Sequence, residues 1–341
     1  MRGPRCCAHR PQQLHREGSI RCLYSYFYDF YCFRLQNYKK NRIFANYLRN
    51  ICTFMNNFIV RTLSAIVYAV LVIGSIVWQP VCFGGHPLLF GILFLLISTL
   101  AVREFHALVG DDVPMQSIAM IANALLFTAM YFLFYGDMVW HALLLGYVGV
   151  MAYALIMQLF RAQANAIQSW GYLCAGQIMV ALPFALMNAV VMHNPLLLLA
   201  IFILLWVNDS GAYIVGSLTA KLPRGNHKMF PRVSPAKSWE GLVGGLVVSL
   251  IAGYVFYRIG WTAELGLTAY PVFDSMLLAF VCTVFGTLGD LMESLLKRTV
   301  GVKDSGKFMP GHGGVLDRFD SLLLATPVVY FLFIYMVNFV L

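Results

Sequence analysis

Charged residues are scarce in this chain of 341 residues, at 11% of the total, whereas a soluble domain carries about 25%. Apolar residues make up 60%, and the mean hydropathy is +0.72. This composition excludes a disordered chain, a fibrous protein, a disulfide scaffold and an ordinary soluble enzyme. It is typical of a multi-pass membrane protein, in which each span needs about 20 apolar residues.

Paired cysteine motifs are also absent. The eight cysteines form no CxxC pair and no Cys/His spacing of the kind that binds zinc. Five of them precede residue 55, and the other three lie in or beside apolar stretches. We therefore expect reduced thiols, with neither disulfides nor zinc.

The first 54 residues lack the signal-peptide order of basic start, apolar core and small-residue cleavage site. They hold ten Lys and Arg but only two acids. Three interpretations stay open for 1–54: an extension outside the functional fold, a basic cytoplasmic tail or an organelle transit peptide. Met55 looks like a natural start, because a short polar cap and Arg61 precede the first apolar run. We divide the remainder into an N-terminal transmembrane region, 55–195, and a C-terminal transmembrane region, 196–341, which holds the candidate functional residues described below.

Apolar runs separated by polar or turn-forming residues predict an all-α, polytopic membrane fold with about nine transmembrane helices. Arg103, Glu104, Asp111 and Asp112 are assigned to a short polar loop. Residues 162–208 are uncharged, and His193-Asn194-Pro195 divides them into two spans. One span plus a surface helix is the alternative, which would give eight spans. The predicted spans lie near 62–81, 88–102, 115–135, 138–160, 170–192, 196–218, 242–260, 272–292 and 321–341.

The distribution of positive charge predicts the orientation. The net charge is +9, which in a soluble protein would suggest a nucleic-acid partner; in a membrane protein Lys and Arg mainly set the topology, and we expect no nucleic acid. With nine spans and a cytoplasmic N-terminus, 23 of the 24 Lys and Arg fall on the cytoplasmic side, and only Arg258 falls outside. This places the polar loops 219–241 and 297–316 in the cytoplasm and the C-terminus on the opposite side. We expect a cell inner (cytoplasmic) membrane location.

Segment 286–298 reads GTLGDLMESLLKR and carries a polar stripe. Asp290, Glu293, Ser294 and Lys297 recur at the spacing of one helix face. Exposed pairs on a helix end would explain Glu293 and Lys297, but they do not explain Asp290, one turn deeper in the membrane. An acid at membrane depth is costly and therefore indicates function.

Segment 301–320 reads GVKDSGKFMPGHGGVLDRFD. Its glycines let backbone N–H groups approach an anion, and its basic residues favour a phosphate. A P-loop is excluded, because Phe308 stands where a Ser or Thr should hold the metal. Asp317 and Asp320 share a helix face and can converge with Asp290 on divalent cations. Carboxylate and phosphate oxygens are the ligands that Mg²⁺ prefers.

These residues resemble the signature of a known family, the phosphatidate cytidylyltransferases or CDP-diacylglycerol synthases. The match runs from Ser294 to Asp320. The segments 234–241 (SPAKSWEG) and 208–213 (NDSGAY) are similar to two further family segments in the expected order. The resemblance covers roughly 56–341 and leaves out 1–54.

The resemblance implies a metal-dependent nucleotidyltransferase that makes CDP-diacylglycerol and pyrophosphate from CTP and phosphatidate in phospholipid biosynthesis. It implies Mg²⁺ as cofactor, with a second cation left open. Membrane lipids are expected partners, and a homodimer is left open. The predicted metal ligands are Asp290, Asp317 and Asp320, which also count as catalytic together with Lys297 and Arg318. The predicted nucleotide and phosphate contacts are Ser234, Lys237, Glu240, Glu293, Arg298, Lys303, Asp304 and His312.

Two other functions stay open. One is a CTP-dependent polyprenol or lipid kinase, and the other is a transporter, suggested only by acids within spans. A transporter should carry charge near mid-membrane on several helices, whereas these acids cluster at cytoplasmic ends and loops.

Overall fold

The structure is a computed structural model of the chain, and it describes residues 62–64, 66–78, 87–133, 138–161, 165–223, 225–267, 270–306 and 313–335. The described residues all belong to one compact unit, Arg61–Leu341. Residues 1–54 and Met55 lie outside the described residues, so the three interpretations of 1–54 and the start at Met55 stay predictions.

The described residues contain eleven α-helices and one β-hairpin, together with short 3₁₀ and π-helical segments and the connecting loops. In chain order the helices are α1 (Thr62–Val77), α2 (Leu88–Leu108), α3 (Val113–Leu133), α4 (Val139–Met157), α5 (Ala166–Gly176), α6 (Leu182–His193), α7 (Pro195–Thr219), α8 (Trp239–Arg258), α9 (Trp261–Glu264), α10 (Pro271–Thr299) and α11 (Leu316–Val329). A 3₁₀ turn, Gln158–Phe160, follows α4, and a π-helical turn, Gln177–Ala181, joins α5 to α6. A π-helix, Tyr330–Tyr335, continues α11. The antiparallel strands β1 (Lys228–Phe230) and β2 (Ser234–Ser238) lie between α7 and α8.

The predicted polytopic, all-α fold is confirmed. Seven helices of the described ranges are long and apolar enough to cross a membrane: α2, α3, α4 with its 3₁₀ turn, α5–α6 as one helix, α7, α8 and α10. These seven helices coincide with the second to eighth predicted spans. The shorter helices α1 and α11 lie at the positions of the first and ninth predicted spans. Helices suit a bilayer because they satisfy their backbone N–H and C=O groups internally.

The break predicted at His193-Asn194-Pro195 is present. Helix α6 ends at His193 and α7 begins at Pro195. Proline suits the first position of a helix because the N–H that it lacks would have no partner within the helix. Asn194 caps α7, since its Oδ1 accepts the backbone N–H of Leu196 at 2.9 Å. Because the helices on both sides are long enough to span, two spans replace the single-span alternative.

Some predicted loop boundaries are wrong, because helices continue beyond the uncharged runs. Arg103 and Glu104 lie in the last turns of α2 rather than in a loop. Lys297 and Arg298 lie in the last turn of α10, where positive charge complements the helix dipole. Gly301, with a φ of 78°, follows the end of this helix. The expected loop 219–241 contains the hairpin and ends where α8 begins, at Trp239.

An aromatic cluster anchors the start of α11 in the core. The Phe319 ring lies 5.9 Å from Phe94 of α2, 5.2 Å from Phe184 of α6 and 6.4 Å from Phe202 of α7, between centroids. All four rings are buried. Edge-to-face and tilted pairs at such distances add about 0.5–1.5 kcal/mol each beyond burial. Since Phe319 stands between Asp317 and Asp320, this packing fixes where the two acids point.

Small residues bring α7 and α8 close together. A Cβ on Gly245 of α8 would lie 2.9 Å from the backbone oxygen of Asn208, and one on Gly211 of α7 would lie 3.3 Å from Gly245 Cα. Close helix approach through glycine is a common packing solution in membranes. Helix α8 also packs on α10, and α10 packs on α11. This arrangement places Asp209 of α7 opposite the acids of α10 and α11.

Candidate active site

The predicted polar stripe is present on α10 as two side-chain pairs. The Ser294 hydroxyl donates to Asp290 Oδ1 at 3.2 Å, and the Lys297 ammonium forms an ion pair with Glu293. Glu293 is only 2% exposed, and Lys297 is also buried. A buried charge is tolerated only when it is paired, so Lys297 is the partner that Glu293 requires.

Lys297 also connects α10 to the start of α11. Its Nζ lies 2.6 Å from Asp317 Oδ1. The second oxygen of Asp317 accepts the backbone N–H groups of Ser305, at 2.9 Å, and of Gly314, at 2.8 Å. Burial opposes ionisation of Asp317, but these three donors outweigh burial and hold its pKa below the ordinary value. Asp317 is therefore a carboxylate that joins both sides of the loop between α10 and α11, residues 300–315, to α10. We call this stretch the signature loop.

The hairpin contributes a second cation. Lys237 Nζ lies 2.7 Å from Asp290 Oδ2 and donates to the Thr287 backbone oxygen at 3.4 Å. The Arg298 side chain donates to the backbone oxygen of Val233 at 3.3 Å. The two loops that the sequence predicts as one site thus meet through α10.

Glu240 holds the base of the hairpin. Its carboxylate accepts the backbone N–H of His227 at 3.0 Å, and one oxygen lies 2.6 Å from His227 Nδ1. The neighbouring Ser238 caps α8 through the backbone N–H of Gly241, at 3.1 Å. These contacts explain why a Ser and a Glu stand at the start of this helix.

A cavity of about 410 Å³ lies between α1, α7, α10 and α11. Its charged lining residues are Asp209, Asp290, Asp317, Arg318 and Asp320. The other lining residues are mainly apolar: Ala69, Phe202, Leu205, Trp206 and Leu322, together with Tyr68, Ser64 and Ser321. The lining therefore suits a molecule that carries both an ionic group and hydrocarbon.

Three carboxyl groups, those of Asp209, Asp290 and Asp320, line this cavity near one another. In their ionised forms they would repel one another. Asp290 has Lys237 as a partner, and Asp320 accepts the backbone N–H of Ser321 at 2.6 Å. A divalent cation would offset the remaining repulsion, so the donor set fits Mg²⁺.

Within the described ranges, no group of three or more His, Cys, Asp or Glu side chains is placed to hold a metal ion by itself. The acids line an open cavity instead. This is compatible with Mg²⁺, which keeps water and substrate phosphate oxygens among its ligands rather than using an all-protein cage.

Several predicted contacts lie away from the cavity wall. Lys303 and Asp304 are exposed on the loop that follows α10, and Ser234 is half-buried where β2 begins. His312 lies outside the described residues, in the segment 307–312. Their roles in binding nucleotide stay predictions.

Comparison with known proteins identifies the family. A family model described as the cytidylyltransferase family matches residues 59–336. The chain belongs to this family. The matched range includes the hairpin, all the acids of the cavity and the signature loop.

Curated relatives of this family member are named phosphatidate cytidylyltransferase. The protein from Haemophilus influenzae is 44% identical over 142 residues, which cover 41% of this chain and 47% of the relative. The Bacillus subtilis protein is 45% identical over 130 residues, covering 38% and 44%. The Staphylococcus haemolyticus protein is 43% identical over 135 residues, covering 40% and 48%. The matched part of the chain thus spans about half the length of these relatives.

Two site residues of this cytidylyltransferase family chain are missing from the predicted set. Asp209 lines the cavity, and its position within an apolar run is the signal that could have placed it there. Glu104 contacts the signature loop, accepting the backbone N–H of Leu316 at 2.9 Å. The sequence signal for Glu104 is weak, since one acid near a span end is common.

Proposed function

We propose that this chain is a phosphatidate cytidylyltransferase, which joins CTP and phosphatidate into CDP-diacylglycerol and releases pyrophosphate. The observation that carries the proposal is the cavity that both charged and apolar side chains line. Its acids and Arg318 suit a site for metal and phosphate, and its aromatic and aliphatic wall suits an acyl chain. The names of the relatives give the same activity for proteins that match about half their length.

In the proposed reaction, an oxygen of the phosphatidate phosphate forms a bond to the α-phosphorus of CTP. The bond from that phosphorus to the pyrophosphate oxygen breaks, and pyrophosphate leaves. Such chemistry depends on positioning and on neutralising negative charge rather than on a covalent nucleophile. Arg318 lines the cavity, and Lys237 forms an ion pair with Asp290 of the cavity lining. Both cations are therefore placed to neutralise phosphate oxygens.

Asp290 and Asp320 would hold Mg²⁺ together with water and substrate phosphate oxygens, and Asp209 lines the same cavity. Asp317 stays a predicted ligand, although its oxygens already accept from Lys297 and two backbone groups. When bound, the cation would draw charge from the phosphate oxygens of both substrates and orient them. Lys297 holds Glu293 and Asp317 in place through its contacts with both carboxyl groups, so its role is positioning.

We propose a cytoplasmic inner membrane location, with the two polar loops and the N-terminus in the cytoplasm and the C-terminus on the other side. The contacts of Lys237 and Lys297 support this arrangement, because they bring both loops to one end of α10. CTP is a soluble nucleotide and would reach the site from that end. Phosphatidate would enter sideways from the inner leaflet along the apolar wall.

The experiment is a turnover assay with purified protein, CTP, Mg²⁺ and phosphatidate, in which lipid-bound cytidine is measured. We expect turnover in the wild type and a loss of about 100-fold or more in Asp290→Asn, which removes a charge from the charge-stabilising site. The matched control is Asp274→Asn in the first turn of the same helix, at its opposite end, which should keep turnover. Absence of lipid-bound cytidine in the wild type, or equal activity in both variants, would contradict the proposal.

A further inference from the structure

Glu104 of α2 contacts the signature loop from outside the cavity. Its Oε2 accepts the Ser305 hydroxyl at 3.2 Å and the backbone N–H of Leu316 at 2.9 Å. Ser305 and Leu316 stand on the two sides of the segment 307–312. One carboxylate thus joins both ends of the loop to a different helix.

The contact with Leu316 replaces a missing helix cap. Leu316 is the first residue of α11, and the residue before it, Val315, provides no side-chain cap. The first N–H groups of a helix have no partner within the helix and favour a negative charge nearby. Glu104 supplies both the acceptor and the charge.

Two glycines allow the Glu104 carboxylate to come this close. A Cβ on Gly306 would lie 2.5 Å from Glu104 Oε1, and a Cβ on Gly314 would collide with Oε2. A larger side chain at either position would displace the loop or the carboxylate. Gly306 and Gly314 therefore serve a contact within the protein in addition to any approach to phosphate.

The same loop segments are also held by Asp317. The backbone N–H groups of Ser305 and Gly314 donate to Asp317 Oδ2, and Asp317 Oδ1 binds Lys297. Glu104 and Asp317 therefore hold the same two short stretches of backbone, one before and one after the segment 307–312. If Glu104 is removed, the contacts of Asp317 and the burial of Val315 and Leu316 remain to hold this backbone, without an acceptor for the Leu316 N–H.

We propose that Glu104 is a positioning residue, which fixes segments 305–306 and 313–316 so that Asp317 and Lys297 keep their places beside the cavity. Its effect on turnover rests on the proposed function, whereas its effect on the loop does not. Glu104 is not among the described residues that line the cavity. We therefore expect its loss to reduce kcat more than to raise KM for CTP.

The test uses the full chain with Glu104→Ala and Glu104→Gln, and Glu264→Gln as the matched control. Glu264 lies in α9, far along the chain from the loop, and its side chain is exposed. We expect Glu104→Ala to lower kcat about tenfold or more, with KM for CTP changed by less than about threefold. Glu104→Gln keeps one acceptor oxygen and should recover part of the loss.

Hydrogen exchange measured by mass spectrometry gives a second readout that does not depend on turnover. In Glu104→Ala, peptides covering 305–316 should exchange faster, while those from α2 and α10 should stay unchanged. Near-normal kcat, unchanged exchange in 305–316, or faster exchange throughout the helices would each overturn the proposal. If the wild type transfers no cytidine, the proposed function fails, and the exchange result alone decides whether Glu104 holds the loop.

Discussion

At the residue scale, Asp317 accepts from a lysine and from two backbone N–H groups at once. Asp317→Asn puts an amide NH₂ where one of these oxygens stood, so at least one donor loses its acceptor. We expect loss of turnover and a loss of about 1–3 kcal/mol in the free energy of unfolding, the usual cost of a buried unpaired polar group. Thermal unfolding in detergent, beside the turnover assay, measures both.

The Asp274→Asn variant is again the control for turnover. If Asp317→Asn kept near-normal turnover across a range of Mg²⁺ concentrations, Asp317 would be neither a metal ligand nor an organiser of the loop. If it lost turnover with no change in stability, its contacts with Ser305 and Gly314 would be unimportant for folding.

Helical spacing was enough to predict that Asp290 and Lys297 share a face, because both lie on one uninterrupted helix. The role of Glu104 could not be predicted this way. Its partners Ser305 and Leu316 are 201 and 212 residues away in the chain, and only the packed fold brings them together. Glu240 was predicted as a site residue, but its observed partner, His227, depends on the hairpin register.

At the scale of elements, the α7–α8 contact depends on glycine. In Gly245→Ala the new Cβ would meet the side chain and backbone of Asn208, so α7 and its Asp209 must shift. Overpacking of this kind costs about 1–3 kcal/mol. We expect a lower unfolding temperature and reduced turnover, measured on the purified protein.

The matched control is Gly149→Ala in α4, where a Cβ would meet nothing within 4 Å. This substitution should leave turnover and unfolding temperature unchanged or slightly raised, since alanine favours helix. Equal behaviour of Gly149→Ala and Gly245→Ala would show that close approach of α7 and α8 does not position Asp209.

Helix positions followed from the hydrophobic runs, but helix ends did not. The break at Asn194 was visible because Asn and Pro are strong boundary signals. The ends of α2 and α10 were placed too early, since Arg103, Glu104, Lys297 and Arg298 continue the helices into the polar boundary. The π-helical turn Gln177–Ala181 has no sequence signal that we recognise.

At the scale of the whole molecule, the charge bias predicts the topology. With 23 of 24 Lys and Arg on one side, the loops 219–241 and 297–316 should be cytoplasmic and Leu341 should face the opposite side. A reporter that is active only in the cytoplasm should be silent at Leu341 and active when inserted in 219–227. An active reporter at Leu341 would contradict nine spans while leaving the cytoplasmic loops in place.

The central claim is that this cytidylyltransferase family chain transfers the cytidylyl group of CTP to phosphatidate. The most direct measurement follows phosphate label from CTP into lipid. Label at the α-phosphate should appear in the lipid product, and label at the γ-phosphate should appear in pyrophosphate. Transfer of the γ-label to lipid would contradict the account, because it would make the protein a CTP-dependent lipid kinase.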